Sequence, residues 1–137
     1  CAALSLGACG VQIGTRFAAT IESSAHPKFK NMIVQAKSDS TFLCLKSLVP
    51  VRLLKNDFYD KVRTLENSGA SVDELKELLA SGRAKQGMHL GDLKEGELEI
   101  GQVSSLVKDI PSLKDCFENI LLEYKNAKSS LPDLKGL

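Results

Sequence analysis

The clearest periodic pattern of apolar residues lies near the C-terminal end of the chain. Its members recur at i, i+3, i+4, i+7, i+8 and i+11: Leu113, Cys116, Phe117, Ile120, Leu121 and Tyr124. This spacing places them on one face of an α-helix. The sequence therefore predicts a helix that begins at residues 111–112, ends near Ser129 and buries Phe117 and Ile120.

Three shorter helices are predicted in the middle of the chain. Their bounds are residue 27 to about 38, residue 57 to about 67, and residue 72 to about 81. Pro27 fits a first helical turn because its missing N–H costs nothing there. Asn56 or Asp57 caps the second helix. Ser71 and Glu74 form a capping box at the start of the third.

Extended segments are predicted on either side of these helices. Residues 41–45 are β-like, and residues 49–54 continue as an edge strand or an arm, because Pro50 has no N–H to donate to a sheet. Near the N-terminus, residues 11–13 form a short apolar run between two glycines. This run predicts a buried strand that follows the tail of a helix at residues 2–8.

Five glycines fall close together before the last helix: Gly82, Gly87, Gly91, Gly96 and Gly101. A core helix does not tolerate this density of glycine. Residues 85–101 are therefore predicted to form a loop that lies near a ligand or another stretch of backbone. Within this loop, residues 97–100 are predicted to form a short extended segment. A short helix over residues 102–108 follows. The alternating glutamates of residues 95–99 are predicted to lie on a solvated face.

The length, charge and cysteine content of the chain limit the classes of function that it can have. The chain has 137 residues, a net charge of +1 and 43% hydrophobic residues. This length predicts one domain, and the balanced charge gives no reason to expect nucleic acid or a membrane as a partner. The four cysteines form no C-x-x-C pair and have no histidine at ligand spacing, so no metal site is predicted. Free cysteines favour a reducing, cytoplasmic location.

The first candidate for chemistry is the Gly14-Thr15 pair at the end of the predicted strand. In parallel α/β folds that end of a strand carries the ligands. Gly14 allows a ligand to approach the backbone, and Thr15 offers an N–H and a hydroxyl to a phosphate oxygen. A plain strand-end turn is the alternative. No catalytic constellation forms around the two histidines, and His26 is predicted to start a helix.

Five motifs stand in a fixed order along the chain. They are residues 3–17 (Ala-Leu-Ser-Leu-Gly-Ala-Cys-Gly-Val-Gln-Ile-Gly-Thr-Arg-Phe), 22–27 (Glu-Ser-Ser-Ala-His-Pro), 51–56 (Val-Arg-Leu-Leu-Lys-Asn), 91–97 (Gly-Asp-Leu-Lys-Glu-Gly-Glu) and 101–102 (Gly-Gln). With them the chain resembles the flavoprotein family of the nitronate monooxygenases (2-nitropropane dioxygenases) and the enoyl-acyl-carrier-protein reductase II. The resemblance covers nearly the whole chain.

The resemblance implies an α/β fold, namely the C-terminal part of a (β/α)8 TIM barrel with its last strand, plus a mainly helical C-terminal extension. A whole barrel needs about 250 residues, so the chain is expected to be the C-terminal two-fifths of such a protein. Its expected parts are the barrel end with the phosphate-binding turn, a helical insertion or lid, a return loop with the C-terminal helices, and a loose tail: residues 1–24, 25–90, 91–130 and 131–137.

The resemblance also assigns cofactor-binding residues. Gly14 and Thr15 are expected to hold the phosphate of flavin mononucleotide (FMN), and Gln12 borders the flavin site or is a polar group bonded within the strand. Gly101 and Gln102 return beside the flavin ring, or simply start a helix, with Ile100 where the family usually has alanine. Arg16 is expected to form an ion pair at the barrel rim rather than to bind the phosphate. No metal ligand is expected.

The implied function is an FMN-dependent oxidoreductase. One form is an enoyl-acyl-carrier-protein reductase of fatty acid biosynthesis that uses NAD(P)H and an acyl-thioester substrate, which the run from Gly91 to Gln102 favours. The alternative is a nitronate monooxygenase that oxidises small alkyl nitronates with O2. No catalytic residue is expected in this chain, because the family's catalytic histidine lies upstream. The partner considered is a second copy of the chain, in a homodimer. A hypothesis from another functional class is that the chain is a non-catalytic helical fragment.

Overall fold

The computed structural model describes residues 1–130, and the tail predicted for residues 131–137 lies outside this range. Six helices and two strands are formed: α1 (Ala2–Ser5), α2 (Thr15–Ala18), α3 (Pro27–Gln35), β1 (Thr41–Cys44), β2 (Val51–Leu54), α4 (Asp57–Asn67), α5 (Val72–Leu79) and α6 (Leu113–Ser129). A π-helical turn, Lys85–His89, and a 3₁₀ turn, Gln102–Leu106, lie between α5 and α6. The predicted helices α3 to α6 are confirmed.

A small antiparallel sheet forms the centre of the fold. Strands β1 and β2 pair in a register that joins Thr41 to Leu54 and Cys44 to Val51. Pro50 stands just outside β2, as its missing N–H predicts. The segment 98–100 adds to the free edge of β2, where the Leu54 N–H donates to the Leu98 carbonyl at 2.9 Å and the Ile100 N–H to the Arg52 carbonyl at 3.1 Å.

Two apolar cores lie on opposite faces of this sheet, because successive side chains of a strand point to opposite sides. Leu54 belongs to the core beneath α3, and Leu53 to the core beneath α4 and α5. The first core contains Ala19, Phe29, Ile33, Ala36, Leu54, Leu98, Ile100 and Val107. The second contains Cys44, Leu45, Leu53, Phe58, Tyr59, Val62 and Leu75.

The cap of α4 also fixes the glycine-rich segment. The Asn56 side-chain oxygen accepts from the Tyr59 N–H at 2.9 Å, which satisfies a free donor of the first helical turn. The same side chain donates to the carbonyls of Leu93 (3.0 Å) and Gly96 (2.8 Å). One side chain therefore starts α4 and holds the loop that returns to the sheet.

The glycine-rich segment packs against its own backbone. A Cβ on Gly96 would overlap the backbone of Gly87, and a Cβ on Gly87 would lie 2.6 Å from the Glu97 carbonyl oxygen. The predicted contact with other backbone is confirmed, and these glycines are explained by packing rather than by a ligand. The prediction of a loop was wrong for residues 85–89, which form the π-helical turn.

The expectations of a strand at residues 11–13 and of a buried Phe117 were wrong. Within the described residues the only sheet is the antiparallel one, residues 11–13 have no regular structure and Val11 is 62% exposed. A strand needs neighbours for its N–H and C=O groups, and residues 1–130 supply none there. Helix α1 also ends at Ser5, short of the predicted residue 8. Phe117 is 54% exposed, beside the same segment.

Candidate functional site

The fold brings Thr15 and Gly101 into contact, although 86 residues separate them in the sequence. The Gly101 N–H donates to the Thr15 hydroxyl oxygen at 3.1 Å. Gly101 has φ −70° and ψ 157°, a conformation that any residue adopts. The reason for glycine is therefore space, because a Cβ at this position would lie 2.6 Å from that hydroxyl oxygen.

Gly14, Thr15 and Gly101 line one groove of about 480 Å³. The pairing of β2 with residues 98–100 brings the other wall to this place. The remaining lining residues are Ala18, Pro50, Val51, Arg52, Glu99 and Ile100. Three of the five cofactor-binding residues that the sequence suggests thus share one surface.

The donors on this surface fit an anionic phosphate. Helix α2 begins at Thr15, and the first N–H groups of a helix have no acceptor within it. The Thr15 oxygen already accepts from Gly101, so its own proton remains available to donate. A Cβ on Gly14 would meet nothing within 4 Å, so the space beside this backbone is open to a ligand.

Gln12 and Gln102 do not line the groove. Both are exposed, and they lie two residues before Gly14 and one residue after Gly101. The two histidines have structural contacts: His26 caps α3 by accepting from the Lys28 N–H at 3.2 Å, and His89 Nδ1 lies 3.2 Å from the Ser24 carbonyl.

Arg16 forms the ion pair that the sequence predicts, and its partner is Asp109. Arg16 Nη1 lies 2.6 Å from Asp109 Oδ1. Nη2 donates to the carbonyls of Asp109 (2.9 Å) and Ala19 (3.0 Å). Both terminal nitrogens of the guanidinium are therefore engaged away from the groove, which Arg16 does not line.

Sequence reasoning did not select Arg52, which lies in the groove opposite the Gly14-Thr15 turn. Its Nη1 donates to the Thr41 carbonyl at 3.1 Å and contacts the Thr41 hydroxyl at 3.3 Å. These contacts fix the guanidinium along β1. Arg52 lies in one of the five ordered motifs, residues 51–56, and that position was the available indication of its importance.

The prediction of a solvated face for the glutamates of residues 95–99 was wrong for Glu97, which is only 9% exposed. It lies under the π-helical turn, against the space that Gly87 leaves. Desolvation by burial raises the pKa of Glu97 above its usual value, the neighbouring Glu99 raises it further, and Arg83 opposes both effects. The charged form of Glu97 is thus disfavoured in the folded protein.

Within residues 1–130, no three His, Cys, Asp or Glu side chains come close enough together to bind a metal ion. None of the helices over this range has the length and apolar character needed to cross a bilayer.

Comparison with known proteins relates this arrangement to solved structures. The structure of FabK from Thermotoga maritima has a TM-score of 0.84 and 35% sequence identity, and the match covers 93% of this chain and 40% of that one. A point variant of the same protein gives a TM-score of 0.77 at 33% identity, over 93% of this chain and 38% of the other.

One curated relative is the Mycobacterium tuberculosis (3aS,4S,5R,7aS)-5-hydroxy-7a-methyl-1-oxo-octahydro-1H-indene-4-carboxyl-CoA dehydrogenase. It is 27% identical over 159 residues, which cover 89% of this chain and 45% of the relative. The chain thus spans less than half the length of each of these relatives. The family model described as Nitronate monooxygenase matches residues 1–123. The chain therefore belongs to the nitronate monooxygenase family.

Proposed function

We propose that this chain is the C-terminal portion of an FMN-dependent oxidoreductase whose flavin phosphate binds at Gly14 and Thr15. The observation that carries the proposal is the hydrogen bond from the Gly101 N–H to Thr15 Oγ1. It joins the two segments that the family resemblance assigns to the flavin, and it leaves the Thr15 proton available to a further acceptor.

Each residue of the groove has a distinct part in this proposal. The Thr15 N–H and hydroxyl donate to phosphate oxygens, and Gly14 allows the phosphate to approach the backbone. Gly101 holds the Thr15 side chain in place, and the opposite wall carries one residue of each charge, Arg52 and Glu99. Gln12 and Gln102, which lie near Gly14 and Gly101 in the sequence but do not line the groove, contact the rest of the cofactor in this proposal. When bound, FMN supplies the redox chemistry.

We propose the reductase role, in which NAD(P)H is the reductant and an enoyl thioester the substrate. Two observations favour it over nitronate oxidation. FabK from Thermotoga maritima is 35% identical over 93% of this chain, and the name of the curated relative describes a coenzyme A thioester. The nitronate monooxygenase role is kept as the second candidate because the matching family model carries that name.

Replacing Thr15 with valine tests the phosphate site. Valine has nearly the shape of threonine but no hydroxyl, so Thr15→Val loses a charge-assisted hydrogen bond. FMN binding by the intact protein should weaken by about 1–3 kcal/mol, measured by titration of the apoprotein. The matched control is Thr64→Val, since the Thr64 hydroxyl donates to the Asp60 carbonyl within α4, away from the groove. Unchanged FMN affinity in Thr15→Val contradicts the assignment.

Substrate assays separate the two reactions and the non-catalytic reading. The intact protein should oxidise NADH or NADPH in the presence of an enoyl thioester, and a nitronate monooxygenase should instead consume O2 with an alkyl nitronate. Residues 1–137 expressed alone should be colourless and inactive, since the family's catalytic histidine and the rest of the proposed flavin site are expected outside them. An intact protein that binds no flavin would support the non-catalytic reading.

A further inference from the structure

The residue that follows the proposed phosphate turn is unusually well anchored. Arg16 makes three hydrogen bonds, two to Asp109 and one to the Ala19 carbonyl, at 2.6 to 3.0 Å. Asp109 lies 93 residues further along the chain, between the 3₁₀ turn and α6. The rigid fork of the guanidinium therefore connects α2 to a distant segment through both of its terminal nitrogens.

Helix α2 depends on such contacts for its orientation. It has only four residues, and its N-cap Gly14 contributes no side-chain cap. A helix of this length does not form by itself in water. The direction of the Thr15 N–H and hydroxyl is therefore set by the groups that hold α2, of which Thr15 and Arg16 provide the side-chain links to residues 101–109.

The guanidinium also depends on Asp109 for its charge balance. The Arg16 side chain is 23% exposed, and within residues 1–130 its Nε is buried without a hydrogen-bond partner. A partly desolvated cation of this kind is costly to leave without its counter-charge. Neutralising Asp109 should therefore weaken the hold on Arg16 and on α2, although the bonds from Nη2 to the Asp109 and Ala19 carbonyls remain.

Other hydrogen bonds confine the effect of this change to α2 and the Gly14-Thr15 turn. The Ile21 N–H donates to the Pro111 carbonyl at 2.9 Å, and the Leu113 N–H donates to the Glu22 carboxylate at 2.7 Å. Both keep residues 21–22 against the start of α6 when Asp109 loses its charge. Asp109 itself is exposed, so its replacement removes little packing.

We propose that Asp109 is a positioning residue for the cofactor turn, which it holds through Arg16 without touching the cofactor. This role rests on the proposed phosphate site. The role predicts that Asp109 affects the binding affinity of a flavin that carries a phosphate and does not affect the affinity of a flavin that lacks one.

The test compares FMN with riboflavin, which has the same ring system and no phosphate. In the intact apoprotein, Asp109→Asn should raise the dissociation constant for FMN about fivefold, the upper range for a partly exposed ion pair. The dissociation constant for riboflavin should stay unchanged, while the melting temperature of the apoprotein should fall slightly because the Arg16–Asp109 ion pair is lost. Asp109→Glu restores the charge and should recover most of the FMN affinity.

Glu95→Gln is the matched control. Glu95 makes a comparable ion pair with Lys61 at 2.6 Å, outside the groove, and its replacement should leave both dissociation constants unchanged. If Asp109→Asn weakens FMN and riboflavin equally, or weakens neither, the positioning role is overturned while the phosphate site stands. If the parent protein binds FMN no more tightly than riboflavin, the phosphate site is overturned and the role of Asp109 with it.

Discussion

Replacing Gly101 with alanine tests whether the Thr15–Gly101 contact exists in solution. The added Cβ would lie 2.6 Å from Thr15 Oγ1, while the next nearest atoms are at ordinary distances of 3.8 Å and 3.9 Å. The conflict thus involves a single oxygen atom. Removing that atom with Thr15→Ala should make room for the alanine, so the two substitutions should be strongly coupled.

The expected magnitudes follow from this geometry. Overpacking of this kind costs about 1–3 kcal/mol, and the lower entropy of alanine in the unfolded chain returns about 0.4–1 kcal/mol. Gly101→Ala should therefore lower the free energy of unfolding by about 1–2 kcal/mol. Thr15→Ala loses one hydrogen bond and should cost about 1 kcal/mol. The double variant should be more stable than the sum of the two single-variant costs predicts, by about 1–3 kcal/mol, since the clash is absent.

Urea unfolding of the apoprotein, followed by circular dichroism, measures these differences in the intact protein and its three variants. Thr64→Ala is the control for Thr15→Ala, because the Thr64 hydroxyl donates to the Asp60 carbonyl within α4, and its effect should add to that of Gly101→Ala. Additive effects of Gly101→Ala and Thr15→Ala, within about 0.5 kcal/mol, would refute the contact and remove the main support for the site.

Two other substitutions test the segment that leads to the groove. Gly96→Ala should destabilise the protein by about 2–4 kcal/mol in the same assay, because its Cβ would overlap the Gly87 backbone; the absence of a measurable cost would contradict this packing. Glu97→Gln should stabilise the protein at neutral pH. The folded state raises the pKa of Glu97, so wild-type stability falls as pH rises from the unfolded pKa to the folded one, and the cost persists above it. The advantage of Glu97→Gln should vanish below the unfolded pKa, and an advantage that is independent of pH would contradict burial of the charge.

Local side-chain chemistry was sufficient to predict the helix starts. Ser71 and Glu74 form the predicted capping box, and Asn56 caps α4 as expected. Each of these interactions lies within one helical turn, so the sequence alone contains all of its participants. Pro50 lies just outside β2, as its missing N–H predicts, but the prediction of an edge strand was wrong, because residues 98–100 pair with the side of β2 that β1 leaves free.

The walls of the groove were only partly predictable. Gly14 and Thr15 were selected by family resemblance, and the same resemblance proposed Gly101, but the hydrogen bond between Thr15 and Gly101 depends on how the chain folds. Arg52 reaches the groove because residues 98–100 pair with β2. Glu97 is buried because Gly87 and Gly96 let two backbones meet. Contacts between residues this far apart in the sequence produce no periodic pattern of residue types from which they could be predicted.

The errors at Val11 and Phe117 have one physical cause. Both residues line the same apolar groove of about 650 Å³ between residues 1–17 and α6. Periodicity reports which face of a helix is apolar and says nothing about what covers that face. On the predicted face of α6, Cys116 is 3% exposed and Ile120 is half-buried, but Leu113, Phe117 and Leu121 are exposed, so the predicted burial holds for only part of that face. Within residues 1–130 no segment covers this groove, so the apolar face that periodicity identifies on α6 remains partly exposed.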